Sequence, residues 1–138
     1  MRVECICDYV SLENSPLSIV KWANNTELEI TVGKTYIVLA MTKFFGVVHY
    51  YIISDVSDAY PLAFPHYLFK LIDKKISECW IDFTGDVEKP ESITIEEGDV
   101  ISFREWSMTK DLFYGNIIEE DADTLRLLYS YRDKMLRE

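Results

Sequence analysis

The sequence predicts a mainly β, α+β fold: a small barrel or meander in the N-terminal half, a C-terminal β extension, and one closing amphipathic helix. Three observations carry this expectation. Tyr36–Met41 and Val47–Ile53 are short runs rich in Val, Ile and Tyr, and the Pro-punctuated aromatic segment Tyr60–Ile72 follows them after a polar turn. With 49% hydrophobic and 14% aromatic residues, the chain has ample material for a core. Leu125, Leu128, Tyr129, Arg132, Met135 and Leu136 fall on one stripe at helical spacing. A length of 138 residues favours one compact unit, with a barrel over 1–74 and the extension and helix over 75–138 packed on it.

From the N-terminus, Arg2–Tyr9 reads as a first strand with Val3, Cys5 and Cys7 on one face. Ser11–Glu27 carries Asn-Ser-Pro and Asn24-Asn25 around the apolar cluster Leu17–Trp22, the pattern of a long loop or a loop holding a turn of helix. Trp22 within it is either a lid over an open barrel end or a contact for a partner. Gly33 supplies the positive φ of a tight turn before Tyr36. Gly33-Lys34-Thr35 is not a phosphate cradle, because Leu28 stands where that loop needs its first glycine. Tyr36–Met41 is apolar on both faces and is expected to be central. Val47–Ile53 puts His49 and Tyr51 on one side and Val48, Tyr50 and Ile52 on the other. Asp55–Asp58 reads as a turn, Tyr60–Pro65 as an edge or interrupted strand, His66–Phe69 as one helical turn, and Phe69–Ile72 as a strand.

Asp73, Lys74 and Lys75 mark a hinge. Ile76–Phe83 then alternates with Ser77, Cys79, Ile81 and Phe83 as its apolar face. Ile93–Ile95 and Val100–Trp106 read as two further strands pairing with the one around Trp80, on either side of a Glu-Glu-Gly-Asp turn. Lys110–Ile118 reads as a linker whose apolar residues pack down. Asp121 caps the final helix, with Asp123 in its first turn and Arg132, Lys134 and Arg137 toward its end.

Residues 75–138 hold 16 Asp or Glu against 8 Lys or Arg, so −8 of the net −10 lies in that half. Such a field disfavours nucleic acid and suits a basic protein partner. No apolar run is long enough for a bilayer span, and Met1–Asp8 lacks the apolar core of a secretory signal, so a cytoplasmic setting is expected. Cys5, Cys7 and Cys79 are an odd set without finger-like spacing, which fits packing better than disulfides or zinc.

The order Thr31-Val-Gly-Lys-Thr-Tyr36, an aromatic strand at Tyr50–Ile53, then Tyr60-Pro61, Pro65 and Leu68-Phe69 resembles a group of small SH3-like β-barrel proteins of bacteria and phages. Some of these are encoded beside polymorphic toxins as candidate immunity proteins. With Val3–Cys7, the likeness covers about half of the 138 residues. It implies an SH3-like barrel and a non-enzymatic, toxin-neutralising role.

For chemistry the residues offer little: His49 and His66 as bases, three cysteines as nucleophiles, and acidic clusters at Glu96–Asp99 and Glu119–Asp123, none in a motif. Glu119–Asp123 lacks the alternating pattern of a calcium loop. Neither a cofactor nor a metal is expected. A protein partner, possibly a basic toxin domain, is expected to meet Trp22, Tyr50, Tyr60, Phe64 and Tyr67, with Glu119, Glu120 and Asp121 adding charge. The alternatives are a structural homodimer pairing edges near Tyr60 or Ile93, and a small-ligand binder or enzyme using His49 or His66.

Overall fold

A computed structural model describes residues 1–55 and 60–138. Among the described residues the chain is α+β. Its strands are β1 (Arg2–Cys5), β2 (Thr35–Ile37), β3 (Ala40–Phe44), β4 (Val47–Ile52), β5 (Leu62–Pro65), β6 (Phe69–Asp73) and β7 (Val100–Ile101). Its helices are α1 (Leu17–Ala23), α2 (Arg104–Thr109), α3 (Asp111–Ile118) and α4 (Ala122–Leu136). Two antiparallel sheets form, ordered β2-β1-β6 and β5-β4-β3-β7. Their ladders do not run on into one another, so the pairing is that of two sheets and not of a closed ring.

Among the described residues the chain passes between the sheets three times, the last on the long segment from β6 to β7. Tyr36–Met41, expected as one strand, breaks at Val38–Leu39: Val38 N–H donates to Met1 O at 3.1 Å beside the first sheet, and Leu39 N–H donates to Tyr51 O at 2.9 Å in the second. Both side chains are buried at this corner, which is why the run is apolar on both faces. The second passage is a 3-10 turn at His66–Leu68, which delivers β6 to its pairing with β1. The edge position expected for the Pro-flanked segment holds, since β5 is the outer strand beside β4. The expected turn Asp55–Asp58 lies outside the described residues beyond Asp55. Asp55 itself accepts hydrogen bonds from Thr31 Oγ1 at 2.6 Å and Tyr36 OH at 2.8 Å, and pairs with Lys34 at 2.5 Å.

Strand β4 is buried on both faces. On one side Tyr50 packs at 6.0 Å between ring centroids against Phe69 of β6. On the other, Tyr51 packs at 4.8 Å against Trp106 of α2 and 5.0 Å against Tyr114 of α3. The four-stranded sheet is therefore the middle layer, between the three-stranded sheet and the helices. Trp106 also meets Phe103 and Phe113, and Phe103 stacks on Tyr131 of α4 at 4.0 Å.

The C-terminal half differs from its sequence reading. Ile76–Phe83 is not a strand: Trp80 N–H donates to Ser77 O in a turn, isolated bridges join Lys75 to Asp86 and Trp80 to Phe103, and Ile76, Ser77 and Trp80 are the buried residues. The turn cancels the alternation that placed Ile81 inside. Ile93–Ile95 follows a 3-10 turn and forms no strand. Val100–Trp106 keeps strand only at Val100–Ile101, which pairs with β3, and then coils into α2 so that Trp106 reaches Tyr51. The expected linker Lys110–Ile118 is α3, because burial of Phe113 and Ile117 outweighs the poor helix propensity of Gly115 and Asn116. Asp121 does cap α4, accepting from Thr124 N–H at 3.0 Å, and Leu128 and Met135 are buried while Leu136 is exposed.

Two substitutions measure these layers. Trp106→Ala, read by urea unfolding, lowers stability by about 3–5 kcal/mol through the cavity it leaves. Asp121→Ala lowers stability far less than Trp106→Ala, since it removes only an exposed cap hydrogen bond.

Candidate functional site

Strands β3 and β4 meet through a two-residue turn, with Phe44 paired to Val47. Its central residues, Phe45 and Gly46, both have positive φ, at 55° and 73°. That is the requirement of the hairpin turn whose twist matches the strands, and it favours Asn-Gly. A phenylalanine there is costly, by roughly 1 kcal/mol or more, because its Cβ crowds the following carbonyl. Glu97 holds the turn in place: its carboxylate accepts from Phe45 N–H at 2.8 Å and Gly46 N–H at 3.0 Å.

The Phe45 ring stays 46% exposed at the mouth of a cleft of about 600 Å³. Phe44, Tyr51, Leu62 and Tyr114 form further lining, Trp22 closes one wall, and the exposed Glu27 and Glu29 stand on the loop that follows α1. Among the lining residues only these two glutamates carry a formal charge at neutral pH, and no Lys or Arg joins them.

His49 also lines this cleft, although it is only 1% exposed. Its ring meets Phe44 edge-on at 5.4 Å and Trp22 edge-on at 6.4 Å. Nδ1 lies 2.8 Å from Val47 O, and a carbonyl can only accept, so Nδ1 carries the proton and Nε2 is left as an acceptor. Among the described residues Nε2 has no hydrogen-bond partner. Burial pushes the His49 pKa from 6.5 down to about 4, against a smaller upward pull from the Val47 carbonyl. The ring is therefore neutral near pH 7.

The residues singled out from sequence divide between sites. Trp22 and Phe64 line the cleft, Trp22 being 47% exposed with its ring against His49. Tyr50 and Phe64 are not exposed contact rings: at 1% and 4% exposure they face the sheet-to-sheet core around Phe69, because β4 has no solvent face. Tyr67 and Tyr50 border a second depression with His66, whose Nε2 is 3.7 Å from Glu91; Tyr67 OH donates to Ser15 Oγ at 2.6 Å. Burial also lowers the His66 pKa. Tyr60 is half-buried, and Glu119, Glu120 and Asp121 sit at the junction of α3 and α4, Asp121 committed to its cap. None of these last four lines either depression.

Sequence reasoning missed Phe44, Phe45, Glu27 and Glu29. One signal was present: Phe-Phe-Gly in a two-residue hairpin that normally takes Asn-Gly. Among the described residues no three His, Cys, Asp or Glu side chains cluster as metal ligands, and Cys5, Cys7 and Cys79 are free thiols. Among them, too, no helix is long and apolar enough to cross a membrane. No family model, curated protein or solved structure matches the chain.

The histidine geometry sets a pH dependence. A histidine whose folded pKa lies below its unfolded value takes up its proton on unfolding, so its contribution is fully present above pH 6.5 and drains away as the pH falls toward 4. For His49 this amounts to about 3 kcal/mol, with His66 acting in the same direction. Urea midpoints are expected to fall steeply between pH 6.5 and 4.5 in the parent protein, and His49→Phe removes the larger part of that slope.

Proposed function

We propose that this chain is a non-enzymatic protein-binding module on an SH3-like barrel, most concretely an immunity-type inhibitor that covers a cognate toxin, and that the aromatic cleft is its docking point. The observation that carries this reading is Phe45. A bulky residue is kept in a left-handed turn by a dedicated carboxylate, and its ring is half out in solvent at the mouth of the cleft. Local strain at an exposed ring adds nothing to the core and is the kind of feature retained for contact with something else. Trp22, also in the lining, gives the cleft a second large, rigid surface, the residue type that dominates protein interfaces.

Other features support the same reading. The chain's two sheets, joined at the Val38–Leu39 corner and the His66–Leu68 turn, with β6 returning to β1, suit a small barrel left open at its seams. A net charge of −10 favours encounter with a basic protein over nucleic acid. Three free thiols suit a reducing compartment such as the cytoplasm. Against an acid–base role, neither histidine shares a hydrogen bond with a hydroxyl or thiol among the described residues. Against edge-to-edge dimers, β5 holds Pro65, follows Pro61, and has Tyr114 OH donating to Pro61 O at 2.7 Å, while Ile93 belongs to no strand.

One observation favours a second reading, a small-ligand binder: an unpartnered ring nitrogen, His49 Nε2, in a cleft of ordinary ligand size. Native mass spectrometry of the purified protein separates the two, since a co-purifying small molecule belongs to this reading alone.

Phe45 provides the decisive variant. Phe45→Asn fits the turn and raises stability by roughly 0.5–1 kcal/mol, yet weakens capture of the protein encoded by the adjacent gene about tenfold or more, as does Trp22→Ala. Absence of capture and of protection by the parent protein rejects the immunity reading.

A further inference from the structure

The cleft's only charged groups, Glu27 and Glu29, are acceptors, set beside the hydroxyls of Thr26, Tyr51 and Tyr114 and the Trp22 indole N–H. Glu27 and Glu29 make no ion pair and no side-chain hydrogen bond among the described residues. His49, whose Nε2 is left as an acceptor, is among the lining residues, and Tyr114 OH is already committed to Pro61 O. Around these acceptors stand flat rings, Trp22, Phe45 and Tyr51. An occupant matched to this lining is donor-rich, cationic and planar.

Resting on the docking role assigned to the cleft above, we propose that its occupant is an arginine side chain presented by a basic protein partner. A guanidinium has its donors spread over a planar fork, so it can stack against Trp22 or Phe45 while bonding Glu27 or Glu29 at one edge. Another of its donors can bond His49 Nε2, an acceptor without a partner among the described residues. A lysine ammonium is a compact, strongly hydrated charge and gains less from the rings. A leucine or phenylalanine would fill the volume but leave both carboxylates and Nε2 facing apolar surface. The alternative source of charge, neutralisation from within the chain, is not built here, since the lining holds no Lys or Arg.

The test is a nitrogen-resolved NMR titration of the full 138-residue protein with Nα-acetyl-arginine amide, the matching lysine amide and the matching leucine amide. The arginine probe is expected to shift the Trp22 indole N–H and the Phe45 and Gly46 amides, and to bind about tenfold tighter than the leucine probe and a few-fold tighter than the lysine probe. A double E27Q and E29Q variant, which alters only exposed side chains, should weaken the arginine probe about tenfold and leave the leucine probe unchanged. Equal or tighter binding of leucine overturns the cationic occupant while leaving the cleft a docking site. Equal or tighter binding of lysine overturns the guanidinium, as does arginine binding that ignores the double substitution. If no probe perturbs the cleft residues, the occupant proposal fails outright, and capture by the Phe45 and Trp22 variants then decides the docking role on its own.

Discussion

Strand β4 has no side that faces water, and the architecture follows from that constraint. Tyr50 and Tyr51 are neighbours in sequence and point to opposite faces, one onto Phe69 of the three-stranded sheet and the other onto Trp106 of the helical layer. Hiding both faces of one strand needs two separate layers. The first half of the chain supplies one of them by turning back at Val38–Leu39, and the second half supplies the other by folding Arg104–Ile118 into paired helices. The two halves thus share a single apolar cluster running from Val3 and Tyr36 through Tyr50 to Trp106 and Leu128.

The cleft arises where that double cover stops. Near the start of β4, the ring contacts of His49 among the described residues are with Trp22 from the short helix α1 and with Phe44, and none is with the α2 and α3 rings. The result is a site with a rigid floor, since His49 and Tyr51 sit on a central strand, and a rim drawn from a turn and a loop. The rim is not loose: Glu97 ties Phe45 and Gly46 to the segment before β7, and within that segment Asp99 accepts from Thr42 through its carbonyl and pairs with Lys110 through its carboxylate. The hairpin tip is thereby linked, through the Glu97–Asp99 segment, to the junction of α2 and α3 at Lys110.

Much of the first half was legible in the sequence because its pattern and its structure have the same cause. Residues apolar on both sides of a strand signalled β4; Pro61 and Pro65 signalled an edge; Gly33 signalled a positive φ, which it has at 89°. The α4 cap was legible because Asp121 acts locally. The second half resisted because its elements are decided by distant partners. Phe103 and Trp106 look like strand residues by propensity, but their neighbours Tyr51 and Tyr131 lie far away in sequence and select a helix. The cleft resisted for a related reason. Glu27, Phe45 and Tyr114 belong to three segments, and only the fold makes them one surface.

The chain contains three tryptophans, and only one of them can be approached from solvent. Trp80 and Trp106 are enclosed, whereas Trp22 borders the cleft with its ring against the imidazole of His49. The molecule therefore carries its own optical reporter at the place of interest. A collisional quencher such as acrylamide addresses the Trp22 emission selectively, and anything seated in the cleft shields it, so occupancy can be followed by fluorescence without attaching a label.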